Sequence, residues 1–189
     1  MLLDYPGTQT IRKSTYEAVI DDICINLIQY GFTNILFING HAGNVETINY
    51  LARRYQREHG VNCGQIDWWK LAATQSEGIM DLNGRMAHGH ASECGTSVML
   101  YLRPELVDMS KATRVEPPTD PYCLIPGFIR YGRFKDRTPN GIVGDATIAN
   151  AEKGKRLVDR CVELIVAFVE SGFGSDCIGK SESFQGEQK

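Results

Sequence analysis

One stretch restricts the fold of this chain more than any other. The apolar run Asn34-Ile35-Leu36-Phe37-Ile38 reads as a short buried strand. It stops in a tight glycine-bearing turn, Asn39-Gly40-His41-Ala42-Gly43-Asn44, and a helical pattern begins at once. His41 is therefore expected just past the C-terminal end of a strand, where ligands bind in open α/β sheets. The following helix aims its free N–H groups and the positive end of its dipole at the same place.

The flanking segments extend this into a parallel βαβ pattern. Upstream, Ser14-Thr15-Tyr16-Glu17 has the form of a capping box. The helix it opens carries Val19, Ile20, Ile23, Cys24, Leu27 and Ile28 and is expected to end at Gly31. Downstream, a helix is expected from about Val45 to His59, with Ile48, Leu51, Ala52 and Tyr55 on one face. Gly60 should end it, and residues 62–67 should form a second strand. A short helical or irregular piece from Trp68, a loop over 75–90, and a helix from about Ala91 to Leu102 follow. Residues 103–145 are rich in Pro, Gly and turn residues, a length that points to an interface, a lid or another functional segment. Ile125, Phe128 and Ile129 could anchor it. A last helix is expected from about Thr147 to Ser171, with Leu157, Val158, Cys161, Leu164, Ile165 and Phe168 on a broad apolar face. The expected organisation is one α/β domain over 1–175 and a flexible tail over 176–189.

Composition excludes several function classes. A chain of 189 residues with net charge −3 lacks the basic footprint of a nucleic-acid or anionic-membrane binder. No stretch approaches a membrane span, and the N-terminus has no basic region followed by an apolar run. The six cysteines (Cys24, Cys63, Cys94, Cys123, Cys161 and Cys177) include no CxxC pair and read as reduced thiols, so a cytoplasmic location is expected.

The chemistry-bearing residues fall in two turns, each opening a helix. The first holds His41; the second reads His88-Gly89-His90-Ala91-Ser92-Glu93-Cys94-Gly95-Thr96-Ser97. A lone histidine in a turn is more often structural than a ligand, but two turns of one kind favour convergence on one site. Glu93 follows His90 by three, so on a first helical turn both could face one side. A carboxylate at a helix N-terminus also has a bland explanation in the helix dipole. The functional one makes His41 and Glu93 part of a shell for zinc, manganese or iron, with His90 as an acid or base. A nucleophilic hydrolase is disfavoured, because residues 90–94 lack both glycines of a G-x-S-x-G elbow. Gly40 and Gly43 complete neither a P-loop nor a dinucleotide fingerprint.

At these residues the sequence resembles the creatininase family, the creatinine amidohydrolase-like metal hydrolases. The carrying motifs are Pro6-Gly7-Thr8, Asn39-Gly40-His41-Ala42-Gly43-Asn44, His90-Ala91-Ser92-Glu93-Cys94-Gly95-Thr96-Ser97, and Gly141-Ile142-Val143-Gly144-Asp145 with Ala151-Glu152-Lys153-Gly154 after it. The resemblance spans residues 6 to about 170. It implies a three-layer α/β/α fold with a mainly parallel sheet, one or two divalent metals (Zn or Mn, with Fe as an option), and a homo-oligomer, often a hexamer. It implies metal-activated water opening a small cyclic amide or related carbonyl compound. Carried over residue by residue, His41 is a metal ligand and His90 the proton-transferring, substrate-contacting histidine. Gly95 stands where the family has the second Glu of His-Ala-Gly-x-x-Glu, and Glu93 matches a Glu that many members carry, in a metal-facing or acid/base role. Ala42, Gly43 and His88 are expected to line the substrate.

The family also places a Glu-x-His pair and an Asp upstream of the Pro-Gly-Thr turn, so this chain is expected to be a piece lacking that segment. The His-Ala-Ser-Glu-Cys-Gly-Thr-Ser variant looks closer to branches that open cyclic keto-sugars of the inosose type. A degenerate, non-catalytic member is the alternative from another class.

Overall fold

The structure, a computed structural model, describes residues 4–117 and 132–173. Ile125, Phe128, Ile129, Cys123, Cys177 and the expected tail over 176–189 lie outside the described residues. The chain divides into two compact units: Lys13–Asp67 with Glu163–Lys189, and Met1–Arg12 with Trp68–Val162.

The first of these is a βαβ unit with a helix before it. Helix α1 (Lys13–Gln29) starts one residue ahead of Ser14, so the expected capping box lies inside the first turn and not at its cap. Its C-terminus does follow the sequence. Gly31 takes φ +88°, its N–H donates to the Ile28 carbonyl at 2.9 Å, and Phe32 N–H donates to Leu27 at 3.1 Å. That pair of bonds is a Schellman stop, which the left-handed glycine permits. Strands β1 (Asn34–Asn39) and β2 (Asn62–Asp67) pair in parallel, from Asn34 opposite Asn62 to Asn39 opposite Asp67. Helix α2 (Val45–His59) connects them and stops at Gly60, φ 65°. It buries Ile48, Leu51 and Tyr55, three of its four expected core positions, and half-buries the fourth, Ala52. Leu51 and Tyr55 pack with Cys24, Ile35 and Val61. The Tyr55 hydroxyl, inside this core, donates to Asp21 Oδ1 at 3.0 Å, which also contacts Arg54.

β1 departs from the expected fully buried strand. Ile38 is 60% exposed, and Leu36 and Phe37 are half-buried. Among the described residues β1 pairs only with β2, so its other edge meets no described strand.

The second unit is mostly helical. It contains α3 (Trp68–Gln75), α4 (Gly84–His88), α5 (Glu93–Leu102), a two-residue antiparallel ladder of β3 (Arg114–Val115) and β4 (Gly144–Asp145), and the first part of α6 (Ala151–Glu170). Ala72, Ile79, Cys94 and Leu157 form its core, with Trp68, Met80, Val98 and Cys161 against them. α4 lies within the expected 75–90 loop, and β3 and β4 within the expected irregular stretch. Five-residue and two-residue elements are too short to show a period. α6 starts four residues later than expected, because Asn150 caps it: Asn150 Oδ1 accepts from Lys153 N–H at 2.9 Å. Its apolar face is narrower than its sequence suggests: Leu157 is buried, whereas Leu164 and Phe168 are 42% and 44% exposed. Among the described residues no helix is long and apolar enough to cross a membrane.

Helices α5 and α6 meet at Gly154. A Cβ there would fall 1.9 Å from the Ser97 carbonyl oxygen, whereas one at Gly95 would meet nothing within 4 Å. Replacing Gly154 by Ala should therefore cost about 1–3 kcal/mol. Gly95→Ala, inside α5 and in open space, should instead stabilise by about 0.5–1 kcal/mol. Urea unfolding of the two variants checks both signs.

Candidate functional site

The His41 turn is held by side-chain amides. Asn39, 2% exposed at the end of β1, accepts through Oδ1 from His41 N–H at 3.1 Å and from Asn44 Nδ2 at 3.3 Å. Its own Nδ2 donates to Asp67 Oδ1 at 2.9 Å, at the matching end of β2. Asp67 Oδ1 also takes Gln65 Nε2 at 2.6 Å. A carboxylate only accepts, so Asp67 fixes which way round the Asn39 amide lies. Ala42–Asn44 form a single 3₁₀ turn, and the exposed His41 ring caps it, Nδ1 accepting from Gly43 N–H at 3.0 Å. This places the ring proton on Nε2. A bond from Nε2 to a metal would require His41 to release Gly43 and carry its proton on Nδ1 instead. Ala42 and Gly43 are both exposed on this turn.

The second turn separates residues that the sequence suggested would act together. His90 is exposed and precedes the helix, while Glu93 is 0% exposed at the first position of α5. The reason is Ala91, whose φ of 50° puts a left-handed kink between them. The spacing argument of a shared helical face does not apply across it. Both Glu93 oxygens are engaged: Oε1 accepts from Asp81 N–H at 2.8 Å and from Lys153 Nζ at 2.6 Å, and Oε2 from Leu82 N–H at 3.1 Å. Lys153 also reaches Asp81 Oδ2 at 2.8 Å and the Ile148 carbonyl at 2.9 Å. Burial pushes the Lys153 ammonium down, but its bonds to Asp81 and Glu93 outweigh that and hold it above its ordinary value. A metal-facing or proton-transferring Glu93 would have to give up these partners.

His88 is half-buried. Its Nε2 lies 3.0 Å from Ser76 Oγ, and its buried Nδ1 has no hydrogen-bond partner among the described residues. Burial lowers its pKa from 6.5, against a smaller opposing pull from Glu93. The Ser92 hydroxyl is fully buried and donates to the carbonyls of Ala87, at 2.6 Å, and Gly89, at 2.9 Å, so it is tied to the end of α4. Burial pushes the Cys94 thiol up to about 12, which leaves it inert as a nucleophile. Cys24, Cys63, Cys94 and Cys161 are all free thiols.

His41 thus belongs to the first unit described, and His88, His90 and Glu93 to the second. Among the described residues no group of three or more His, Cys, Asp or Glu side chains is placed to hold a metal. Sequence reasoning passed over Lys153, Asp81 and Asp67. For Lys153 a signal existed: it sits four before Leu157 and eight before Cys161, on the helix's inward stripe, where a lysine needs a buried partner.

The family model for Creatininase, described as creatinine amidohydrolase, matches residues 2–169. The chain belongs to the creatininase family. It is 29% identical over 185 residues to a creatinine amidohydrolase of Pseudomonas putida, covering 89% of this chain and 67% of that protein. It is 32% identical over 151 residues to a mycofactocin precursor peptide peptidase of Mycobacterium ulcerans, covering 74% of this chain and 53% of the relative. The chain therefore spans about half to two thirds of the length of these relatives. Among solved structures, it resembles a crystal structure of creatinine amidohydrolase, with TM-score 0.68, 27% identity, and coverage of 90% of this chain and 68% of that one. A manganese form of creatininase matches equally, with TM-score 0.68, 27% identity, and coverage of 90% and 68%. A Zn–Zn type creatininase mutant matches at TM-score 0.68 and 25% identity, again covering 90% and 68%. The family's α/β fold is thereby that of this chain.

Two outcomes are expected of the second turn. Glu93→Ala leaves the backbone N–H groups of Asp81 and Leu82 without their acceptor and takes one of two carboxylates from Lys153, which keeps Asp81, so it should cost about 2–4 kcal/mol in a denaturant titration. For His88, the folded pKa lies below the unfolded one. Its contribution is therefore complete above 6.5 and is lost as pH falls below that value. His88→Gln should flatten the fall in unfolding free energy between about pH 7 and pH 5 relative to the unaltered protein.

Proposed function

We propose that this chain is a metal-dependent creatininase-family hydrolase that cleaves a C–N bond of a small amide. The observation that carries the reading is the state of the two motif histidines. His41 and His90 are exposed in turns that open helices, each with one ring nitrogen hydrogen-bonded and, among the described residues, no hydrogen-bond partner on the other. The two kinds of named relative share amide hydrolysis: one is named for a cyclic amide and the other for a precursor peptide.

In this reading His41 is the described residue that would hold a divalent metal. An exposed imidazole on a turn fixed by Asn39 fits the role of one ligand once Nδ1 releases Gly43 N–H and takes the ring proton, and the described residues supply no complete shell. Zinc- and manganese-bearing neighbours support a divalent ion. When bound, such an ion polarises a carbonyl and lowers the pKa of a water.

The chain's own step is proton transfer. Water adds its oxygen to the amide carbon while one of its protons passes to the His90 ring. The C–N bond then breaks, and that proton goes to the departing nitrogen. Ala42 and Gly43 offer exposed backbone beside His41 for the substrate, whereas His88 is half-buried against Ser76. Glu93 positions Lys153 and residues 81–82. A cyclic keto-sugar substrate is the second reading from the motif, and a peptide amide gains weight from the 32% identical peptidase.

The experiment is hydrolysis of creatinine, a hydantoin and short peptides after reconstitution with Zn²⁺ or Mn²⁺. His90→Ala should lower kcat about 10²–10⁴-fold. His41→Ala should abolish the metal-induced rise in Tm. Turnover that survives chelation and both substitutions would remove the reading.

A further inference from the structure

The segment from Thr138 to Gly144 runs along the turn that carries His90 and touches it at two points. Val143 N–H donates to the His90 carbonyl at 2.8 Å, and His90 Nδ1 lies 2.6 Å from the Gly141 carbonyl oxygen. A carbonyl oxygen only accepts, so Nδ1 carries a proton, and in the neutral ring Nε2 holds the free lone pair. The Phe134 ring meets the imidazole nearly edge-on, centroids 4.9 Å apart at 66°. Two glycines permit the approach. A Cβ on Gly89 would fall 1.9 Å from the Val143 oxygen, and one on Gly144 2.5 Å from the Met86 oxygen.

The Gly141 carbonyl is itself aimed by Asn140. Asn140 Oδ1 accepts from Ile142 N–H at 3.2 Å and from the Thr138 hydroxyl at 3.1 Å, closing the turn around Gly141, whose φ is +87°. Asn140 Nδ2 donates to Thr113 Oγ1 at 2.8 Å, which ties the turn to the segment before β3. On the other side, Thr138 is fully buried and its carbonyl accepts from the Tyr5 hydroxyl at 2.5 Å. Asn140 is exposed, and its hydrogen bonds run to Thr113, Thr138 and Ile142.

We propose that Asn140 is a positioning residue for His90: it fixes the Gly141 carbonyl, which locks the ring as the Nδ1–H tautomer and leaves Nε2 as the basic atom. This deepens the proposed role of His90 and rests on it for its catalytic consequence, but the tautomer itself is a property of the unliganded protein. An imidazole free in water favours the Nε2–H form, so a locked Nδ1–H ring is not what solvent alone would give.

The test reads the ring directly. Long-range ¹H–¹⁵N correlation spectra at about pH 8.5, well above the ordinary histidine value, report the tautomer. His90 is assigned by the signals lost in His90→Gln. The expected result is a protonated Nδ1 and a bare Nε2 in the unaltered protein and in Asn140→Asp, which keeps the Oδ1 acceptor. A mixture is expected in Asn140→Ala. With the substrate that the hydrolysis panel identifies, Asn140→Ala should lower kcat by about 10-fold, as for other groups that orient a functional imidazole, with KM unchanged and Asn140→Asp restoring the rate. A wild-type His90 with its proton on Nε2, or a lock unaffected by Asn140→Ala, overturns the proposal. If the lock is present and responds to Asn140→Ala but no substrate turns over, the positioning stands and the hydrolase reading fails instead.

Discussion

The arrangement of the second turn depends on one buried carboxylate. Glu93 is completely withdrawn from water, and an unpaired charge there would be prohibitive. It is tolerated because three donors converge on it: two consecutive backbone N–H groups and the Lys153 ammonium. Those bonds join the 81–82 segment, the start of α5 and the start of α6 at one point. Glu93 also sits where the α5 dipole favours negative charge, which reduces the cost further. With Glu93 anchored inward, the chain before it must leave the helix direction. The left-handed Ala91 performs that turn and delivers His90 to the surface.

The first turn is organised by different means. Its fixed point is a neutral amide, Asn39, oriented by Asp67 across the parallel ladder. The register that pairs Asn39 with Asp67 is the register that sets β1 beside β2, so the strand pairing and the position of His41 are one constraint. A slip of one residue would leave the two side chains on opposite faces of the ladder.

The long elements could be read from the sequence because their signals are local. α2 and β2 match the expected ranges, and Gly31 and Gly60 stop their helices as expected. Both candidate histidine turns could be found for the same reason, as glycine-bearing breaks before helices. The contacts of Glu93 were hidden because three-residue spacing implies a shared face only within a helix, and Ala91 is outside it. Lys153 and Glu93 are sixty residues apart, Gly141 and His90 fifty-one, and no window along the chain connects them. The exposure of Ile38 also escaped, since an apolar run shows that a strand could be buried but not what covers it.

Ala91 shows how tightly the His90 turn is determined. A non-glycine residue in the left-handed region costs about 1–2 kcal/mol, and it persists only where its surroundings leave no alternative. Here they act from both sides. Ahead of it, the His90 carbonyl is held by Val143 N–H; behind it, the Ser92 hydroxyl grips two carbonyls at the end of α4, and the Thr96 hydroxyl donates to the Ala91 carbonyl at 3.1 Å. Ala91 itself is exposed, so the strain is maintained by these bonds and not by burial of its side chain. Those bonds hold the backbone on both sides of Ala91, and with it the point from which the His90 side chain leaves the chain.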